Sequence, residues 1–457
     1  MKIKQMVTTI VVTIFCLIVT FILSSFCFSP KPLFSEVRHP EWSKNAVIYE
    51  VNIRQYSKEG TFNRFAKDLP RLKRLGVDII WVMPVHPIGE LDRKGKLGSP
   101  YSVRDYKAIN PEFGTMEDFI NLVKKAHQNG LKLIIDWVPN HTSKDNNLIE
   151  THPEYYLRDS SGKFVSPFDW TDVYRLDYNN ASTRQYMTET MKWWINETDI
   201  DGFRCDVAHM IPVSFWNELR ISLDSVKHVF ILAEADIPEQ HQKGIDMSYD
   251  WKFHHIMNDI AKGGKNANAV LKHFNHVDSI YPGNSYLMEF TSNHDENSWN
   301  GSEYERLGNG AQTFAVLAAT IYGMPLIYNG QESAFKRRLN FFIKDSIDWD
   351  NYTLTQFYQK LFELKHRNKA LWNGSEGGRF NRINTNCDTS VFAFTREIGS
   401  YKVFVICNLS SNPLKVTLKS KLLPGNYMEI FSSKEYFFQE NTKLKLSPWQ
   451  YLVFEKK

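Results

Sequence analysis

Short apolar runs alternate along the chain with longer runs in which apolar residues recur every three or four positions. The short runs have the length of buried strands, and the longer ones have the periodicity of amphipathic helices. Gly76 and Gly130 follow the first two helical runs, where a glycine commonly ends a helix. The predicted strands are residues 47–54, 77–83, 131–138, 202–207, 229–233, 286–292 and 325–328, and the predicted helices are residues 62–75, 116–129, 213–224, 311–322 and 355–367.

This alternation predicts an α/β fold in which about eight strand–helix repeats close into a (β/α)8 TIM barrel. Residues 141–182 interrupt the alternation with a long stretch rich in Asn, Asp, Ser and Pro, which predicts a small subdomain inserted after the third strand. Near residue 375 the pattern changes to short alternating runs with turns, which predicts an antiparallel β-sandwich domain. The predicted domains are the barrel at 30–140 and 183–372, the insertion at 141–182, and the C-terminal β domain at 373–457.

The N-terminus predicts export. Lys2 and Lys4 precede residues 5–30, which carry no charge and are mostly apolar. A basic start and an apolar core are typical of a signal peptide, although this apolar stretch is nearly long enough to span a bilayer. Residues 1–29 are therefore either a signal peptide or a membrane anchor, with cleavage favoured. In both cases the barrel would lie in the periplasm, at the cell surface or outside the cell.

Composition and charge exclude several functions. The formal net charge of the 457 residues is +4, and no basic stripe indicates a nucleic-acid partner. Cys16 and Cys27 lie in the N-terminal segment, and the scattered Cys205, Cys387 and Cys407 form neither a disulfide framework nor a metal-binding spacing. Aromatic residues make up 14% of the chain, which suits both core packing and the binding of sugar rings.

Acidic residues stand at the ends of three predicted strands, at Asp206, Glu234 and Asp295. In a barrel of parallel strands, side chains at the C-terminal strand ends converge on one mouth, where the chemistry takes place. Carboxylates gathered at such a mouth destabilise the fold and serve as acid, base or nucleophile. This placement indicates a glycoside hydrolase.

Four short motifs stand at predicted strand ends: Asp-Trp-Val-Pro-Asn-His at 136–141, Gly-Phe-Arg-Cys-Asp at 202–206, Glu234, and Asn-His-Asp at 293–295. In this order and placement they resemble the motifs of the α-amylase family of glycoside hydrolases. Further matches lie at 76–84, 98–115 and 323–332, so that the resemblance covers nearly all of residues 47–455. The partner that the resemblance implies is an α-glucan oligosaccharide or polysaccharide substrate.

The resemblance implies a double displacement. Asp206 would be the nucleophile that forms a covalent glycosyl-enzyme, Glu234 the general acid and base, and Asp295 the carboxylate that stabilises the transition state. Arg204 beside Asp206 would favour the ionised nucleophile, and Glu234, with no adjacent cation in the sequence, would be kept protonated by desolvation. The resemblance also implies four substrate-binding residues, which are Tyr101, His141, Arg204 and His294, with Tyr101 stacking on the sugar. Asp136, in contrast, is expected to be a structural carboxylate tied to the backbone or to Arg204.

A calcium ion is a further expectation of the resemblance, with Asn140 as its side-chain ligand and Asp172 or Asp177 as the source of another oxygen. The chain departs from the family here, because His209 and Met210 stand where a Lys-His pair often helps to bind that ion. An isolated asparagine also serves as a turn or cap residue, which is the alternative function of Asn140.

The function implied is that of a retaining hydrolase that cleaves α-1,4 bonds of starch, glycogen or maltooligosaccharides. Alternatives that use the same residues are a transglycosylase or a sucrose- or trehalose-converting enzyme, and a glucosidase of α-1,6 or mixed linkage. Val207 occurs after the nucleophile in some relatives that cut α-1,6 bonds, whereas Leu-Asp-Tyr-Asn at 176–179 resembles bacterial α-amylases. A non-catalytic, membrane-anchored accessory protein is the remaining alternative, although such relatives have lost the catalytic carboxylates.

Overall fold

The computed structural model of the protein describes residues 37–349 and 351–457, so the predicted signal or anchor at residues 1–29 lies outside the described residues. The first strands are β1 Ile48–Val51, β2 Ile79–Val82, β3 Lys132–Trp137, β4 His141–Ser143, β5 Val173–Arg175, β6 Gly202–Cys205, β7 Phe230–Ala233, β8 Met247–Tyr249, β9 Tyr286–Glu289 and β10 Met324–Tyr328. A closed parallel barrel forms from them in the order β1-β10-β9-β8-β7-β6-β3-β2. The (β/α)8 barrel expected from the alternating pattern is confirmed.

Alternate residues of the barrel strands face opposite sides. Ile48, Ile134 and Leu232 belong to a cluster inside the barrel, whereas Tyr49 and Leu133 pack against the surrounding helices. Because side chains alternate along a strand, the residue two positions beyond each interior residue also faces inward, closer to the mouth. This periodicity directs the polar side chains at the strand ends into the barrel mouth.

Helices cover the outside of the barrel. Two of the predicted helices have the expected bounds, Val213–Asp224 and Thr355–Arg367, and Met116–Gln128 begins at Thr115 with a capping box. The helices are Ile53–Tyr56, Phe62–Phe65, Leu69–Leu75, Met116–Gln128, Leu148–Thr151, Ala181–Thr198, Val213–Asp224, Trp251–Ala261, Asn268–Ile280, Glu303–Leu307, Ala311–Thr320 and Thr355–Arg367. Among the described residues, no helix has the length and apolar character needed to cross a membrane.

The prediction of one continuous helix at 62–75 is wrong. The structure has Phe62–Phe65, a 3-10 turn at Ala66–Asp68, and then Leu69–Leu75, which ends at Gly76 with φ 98°. Pro70 lies in the first turn of the last helix, where its missing N–H is tolerated. The proline therefore starts a new helix instead of continuing the first one.

The strand β8 and the helices Trp251–Ala261 and Asn268–Ile280 were not predicted. β8 has three residues and contains a serine, so it lacks the apolar run that identified the other strands. Its neighbours β7 and β9 bond to it and complete the barrel. Tertiary pairing therefore supplies a strand that the local pattern does not show.

The insertion and the C-terminal region take the expected form. β4 and β5 pair antiparallel within the excursion after β3. The C-terminal strands are β11 Arg379–Arg382, β12 Asn384–Thr385, β13 Val391–Ile398, β14 Tyr401–Asn408, β15 Leu414–Lys419, β16 Gly425–Glu429, β17 Glu435–Phe438, β18 Lys443–Leu446 and β19 Tyr451–Lys456. They form a six-stranded sheet in the order β11-β13-β14-β19-β16-β17 and a three-stranded sheet in the order β12-β15-β18, which share one apolar core.

Candidate active site

A fully buried arginine organises the mouth of the barrel. Arg204, on β6, donates through Nη1 to Oδ1 of Asp136 at 2.9 Å and to Oδ1 of Asp206 at 2.9 Å. Its Nη2 lies 2.9 Å from Oε2 of Glu234, and its Nε donates to the hydroxyl of Tyr249 at 3.2 Å. One guanidinium thus joins three carboxylates that come from the ends of β3, β6 and β7.

The surroundings of Asp206 have opposing effects on its charge. Burial raises the pKa of Asp206 well above its usual range, the nearby charge of Glu234 adds to the rise, and Arg204 opposes it. Desolvation and the second carboxylate therefore outweigh the guanidinium. The predicted contact with Arg204 is present and favours the ionised carboxylate as expected, while the net shift of the pKa is upward.

Glu234 has more polar contacts than its sequence context indicates. In addition to Arg204, the backbone N–H of Val207 donates to Oε2 of Glu234 at 2.7 Å. Val207 has left-handed backbone angles (φ 48°, ψ 36°), which are rare for a β-branched residue and cost on the order of 1–3 kcal/mol. No cation adjoins Glu234 in the sequence, but the parallel pairing of β6 with β7 places Arg204 beside it in the structure.

A second group of contacts centres on His294. Its Nε2 lies 2.7 Å from the hydroxyl of Tyr101 and 3.2 Å from Oδ2 of Asp295, and its Nδ1 contacts Oε1 of Glu50. Burial by itself would raise the pKa of Asp295, but the charge of His294 and its hydrogen bond bring that pKa below its usual value. The structure thus holds Asp295 in its ionised form beside a cationic ring.

Tyr101 and His141 lie at this mouth as expected, although Tyr101 has a different packing. The Tyr101 ring stacks on His294, with centroids 5.4 Å apart, and its hydroxyl donates to Oδ2 of Asp136 at 3.1 Å. His141 is buried at the start of β4 against the edge of Trp170, and burial lowers its pKa to about 3. The neutral His141 ring can therefore hydrogen-bond a sugar hydroxyl without adding charge.

Asp136 is buried and bonded to Arg204, the structural arrangement expected of it. The indole N–H of Trp81 also donates to Oδ2 of Asp136, at 3.2 Å. Burial raises the pKa of Asp136 to about 6, and the charge of Arg204 limits that rise. Asp136 therefore supports Arg204 from inside the barrel.

An aromatic rim that was not predicted from the sequence lies beside the carboxylates. Trp299 is 50% exposed and lies in the π-helix Glu296–Asn300, directly after Asp295. Its ring centroid is 5.1 Å from that of Phe341, whose own ring is parallel to Tyr101 with a centroid distance of 6.3 Å. Exposed aromatic faces of this kind suit the apolar faces of sugar rings. No sequence pattern identified them, because isolated aromatics in loops have no periodicity.

Glu50 is another residue of the site that was not predicted. It lies within β1 and inside the predicted strand 47–54, so the argument from strand ends does not apply to it. The available signal was a lone carboxylate inside an apolar strand, since burying such a group is costly without a partner. In the structure it is fully buried against His294.

The residues around Asn140 do not fit the calcium site that the resemblance implies. Asp172 faces a cation, with its Oδ1 3.4 Å from Lys94 Nζ, and Asp177 accepts the N–H of Asn179 as a turn cap. Calcium takes six to eight oxygen ligands, usually including carboxylates. Among the described residues, no group of three or more His, Cys, Asp or Glu side chains could hold a metal ion. Asn140 therefore offers only a neutral side-chain oxygen.

Comparison with known proteins gives consistent matches over the described residues. A family model described as "Alpha amylase, catalytic domain" matches residues 43–175 and 153–386, and one described as "Alpha-amylase SusG C-terminal domain" matches residues 391–453. The structure resembles a noncanonic maltogenic α-amylase AmyB from Thermotoga neapolitana, with a TM-score of 0.84 and 30% identity over 91% of this chain and 99% of that chain. It also resembles an α-amylase from Lactobacillus plantarum, with a TM-score of 0.81 and 30% identity over 91% of this chain and 100% of that chain.

A relative matched by sequence is the α-amylase MalA of Haloarcula japonica, which is 27% identical over 411 residues. That match covers 85% of this chain and 59% of MalA. A second is α-amylase 3 of Dictyoglomus thermophilum, which is 24% identical over 490 residues and matched over 90% of this chain and 93% of its own length.

Proposed function

The chain belongs to the α-amylase family of glycoside hydrolases, and we propose that it is a retaining hydrolase of α-1,4-glucosidic bonds in starch, glycogen or maltooligosaccharides. The observation that carries this proposal is the pair formed by Asp206 and Glu234, which share the guanidinium of Arg204. Retaining enzymes need two carboxyl groups about 5–5.5 Å apart. A shared guanidinium supports such a short separation, which stays a prediction.

In the first step, Asp206 attacks the anomeric carbon and the glycosidic bond breaks. Arg204 holds Oδ1 of Asp206, so we assign the attack to the other carboxylate oxygen. Glu234 transfers its proton to the leaving oxygen as that bond breaks, and the result is a covalent glycosyl-enzyme. In the second step, Glu234 takes a proton from water, and the water oxygen displaces Asp206 from the sugar.

Asp295 and the groups around it have a supporting role. The transition state carries positive charge at the sugar ring, and the ionised carboxylate of Asp295 would stabilise that charge. His141 would hydrogen-bond a hydroxyl of the same sugar, whereas both ring nitrogens of His294 are already engaged with Glu50, Tyr101 and Asp295. Asp295 follows β9 and His141 follows β3, so the barrel positions them before substrate binds.

Product analysis tests the proposal. Maltoheptaose, amylose and pullulan are incubated with the full chain, and the first products are followed by proton NMR and chromatography. Retention gives the α-anomer first, and α-1,4 cleavage gives maltooligosaccharides. Early release of the β-anomer would overturn the double displacement. Maltotriose as the product from pullulan would favour the α-1,6 alternative, and products longer than the substrate would favour the transglycosylase.

Trp299→Ala is expected to raise KM for maltooligosaccharides about 3- to 10-fold with a smaller effect on kcat. Stacking on an aromatic ring contributes about 0.5–1.5 kcal/mol, and each 1.4 kcal/mol corresponds to a tenfold change in affinity. Steady-state kinetics on maltoheptaose measures the change.

Two control variants identify the cause. Trp299→Phe retains an aromatic face and should keep most of the affinity. Phe437 is 65% exposed in the C-terminal domain, and Phe437→Ala should leave KM unchanged. An equal KM for all three variants and the wild type would exclude Trp299 from glucan binding.

Dialysis against EDTA is expected to leave both the activity and the melting temperature unchanged. Asp172 is paired with Lys94 and Asp177 caps its own turn, so the two carboxylates expected to join Asn140 already have partners within the described part of the chain. Activity and thermal unfolding are compared before EDTA treatment, after it, and after calcium is restored. A loss that calcium alone reverses would show that the chain binds the ion after all.

Export is proposed for residues 1–29, which lie outside the described residues. The support is their sequence, two lysines followed by an uncharged apolar stretch. Expression of the full chain should place the activity in a periplasmic, surface or extracellular fraction, and a chain without residues 1–29 should be soluble and active. Full-length enzyme that stays in the cytoplasm with Met1 intact would contradict both the signal and the anchor.

A further inference from the structure

Glu50 is a buried carboxylate whose place in the barrel directs it at the active site. The residue two positions before it, Ile48, belongs to the interior cluster, whereas Tyr49 and Val51 pack against the helices. Glu50 therefore faces the inside of the barrel, one level closer to the mouth than Ile48. Its side chain is fully buried, so it is not placed to touch a substrate directly.

The ring of His294 links Glu50 to the acid that we assign to transition-state stabilisation. Nδ1 of His294 contacts Oε1 of Glu50, and Nε2 lies 3.2 Å from Oδ2 of Asp295 and 2.7 Å from the hydroxyl of Tyr101. A neutral imidazole carries one N–H, whereas the imidazolium carries two. Only the cationic ring can donate to both carboxylates at once.

We propose that Glu50 is a positioning residue of the active site, which holds His294 as a two-sided donor between Glu50 and Asp295 and so fixes the placement of Asp295 and Tyr101. This inference rests on the proposed function of the same site. The charge of Glu50 keeps the His294 ring protonated, and the position of the Glu50 carboxylate fixes the orientation of that ring. Glu50 acts through His294 and does not contact the sugar.

The electrostatics agree with this geometry. Burial alone would lower the pKa of His294, but Asp295 and Glu50 raise it well above its usual value. A buried carboxylate destabilises the fold unless a partner compensates for it, and His294 is the partner of Glu50. The charged and titratable groups around this pair, taken from the elements that pack against it, are Asp295, Tyr101, Asp136, Arg204, Tyr249 and Tyr328.

Glu50→Gln tests the role of the charge, because glutamine keeps the shape and an acceptor oxygen. We expect kcat to fall roughly 10- to 100-fold, the loss typical when the outer partner of a functional histidine is removed. Without the Glu50 charge His294 loses its proton at a lower pH, so the alkaline limb of the kcat/KM profile should move to lower pH. The expected movement is about one unit or more, because a neighbouring charge shifts a pKa by about 1–3 units.

A matched control is available on another barrel strand. Glu289, on β9, is also fully buried, and among the described residues neither of its carboxylate oxygens has a hydrogen-bond partner. The adjacent Met288 belongs to the interior cluster, so Glu289 faces the helices instead of the site. Glu289→Gln makes the same chemical change and should leave kcat and the alkaline limb as in the wild type.

Two further variants separate charge, position and stability. Glu50→Asp keeps the charge but shortens the side chain, so its alkaline limb should stay near that of the wild type while kcat falls. If Glu50→Gln does not yield folded protein, this variant decides the question. In a His294→Gln background, the added substitution Glu50→Gln should not lower kcat any further, because Glu50 acts only through the His294 ring.

A direct measurement distinguishes this inference from the proposed hydrolysis. Histidine Cε1 resonances of the full chain are titrated by NMR, with the signal of His294 assigned from the His294→Gln variant. Glu50→Gln should lower the titration midpoint of that signal, whether or not a glucan is cleaved. A lowered midpoint in a protein without glucanase activity would overturn only the proposed function. An unchanged midpoint together with wild-type kcat in Glu50→Gln would overturn the role of Glu50.

Discussion

Asp206→Asn is expected to reduce glucan turnover by roughly 10⁴-fold or more, as the loss of a covalent nucleophile does in other enzymes. Asparagine keeps the shape of the side chain and an oxygen that can accept from Arg204 Nη1, but it cannot form the glycosyl-enzyme. Since burial and Glu234 raise the pKa of Asp206, removing its charge should leave the melting temperature unchanged or raise it. Turnover of maltoheptaose, calorimetric binding of the same sugar and thermal unfolding measure these three effects.

A chemical rescue makes this test specific for the nucleophile. Asp206→Ala opens space at the anomeric carbon, and azide can enter from the same side as the missing carboxylate. With an activated α-glycoside, Glu234 still assists departure of the leaving group and azide forms the new bond, so the product is a β-glycosyl azide. Near-normal turnover of starch by purified Asp206→Asn, or the absence of any azide product, would contradict the assignment of Asp206.

Arg204→Met is expected to abolish turnover and to destabilise the fold by about 3–5 kcal/mol, the cost of breaking a buried ion pair from one side. The substitution leaves Asp136 and Asp206 buried without their cation, and it releases Glu234. Urea unfolding monitored by fluorescence gives the change in free energy of unfolding. Activity is then measured on the fraction that remains folded.

The stability deficit of Arg204→Met, measured against the wild type, should depend on pH in a definite direction. Burial already raises the pKa of Asp136 to about 6 with Arg204 present, and without the guanidinium the rise should be larger. The folded variant then binds more protons than the unfolded chain, so its stability increases as the pH falls. The wild type gains stability in the same way below about pH 6, so the deficit should shrink as the pH falls towards about 6 and change little below it. The added substitution Asp136→Asn should recover part of the loss at pH 7.

Arg396 provides the matched control for Arg204. It is also fully buried, but it donates to the backbone carbonyls of Gly378, Ile321 and Trp372 instead of carboxylates. Arg396→Met should therefore lower stability without this pH dependence and keep turnover in the folded fraction. A pH-independent deficit in Arg204→Met, or retained turnover, would exclude the proposed role of the Arg204 cluster.

Local sequence patterns were sufficient to predict the helix bounds and the strand-end acids, because both depend on the periodicity of neighbouring residues. The helices Val213–Asp224 and Thr355–Arg367 have the bounds that their apolar spacing predicts. Apolar runs that end in acids placed Asp206, Glu234 and Asp295 at one barrel mouth, because the C-terminal ends of parallel strands always converge. Since Arg204 lies two residues before Asp206 on the same strand, their contact also follows from the alternation of side chains.

The tertiary structure decided what depends on contacts between distant parts of the chain. Glu50 and His294 are 244 positions apart, and only closure of the barrel between β1 and its neighbours brings them together. Arg204 reaches Glu234 because β6 and β7 pair side by side in the sheet. The direction of the pKa shift of Asp206 depends on a balance between burial, a second carboxylate and a guanidinium, and a sequence shows the groups but not the desolvation that each of them experiences. Strand order and burial, which exist only in the folded chain, therefore determined the electrostatics of the site.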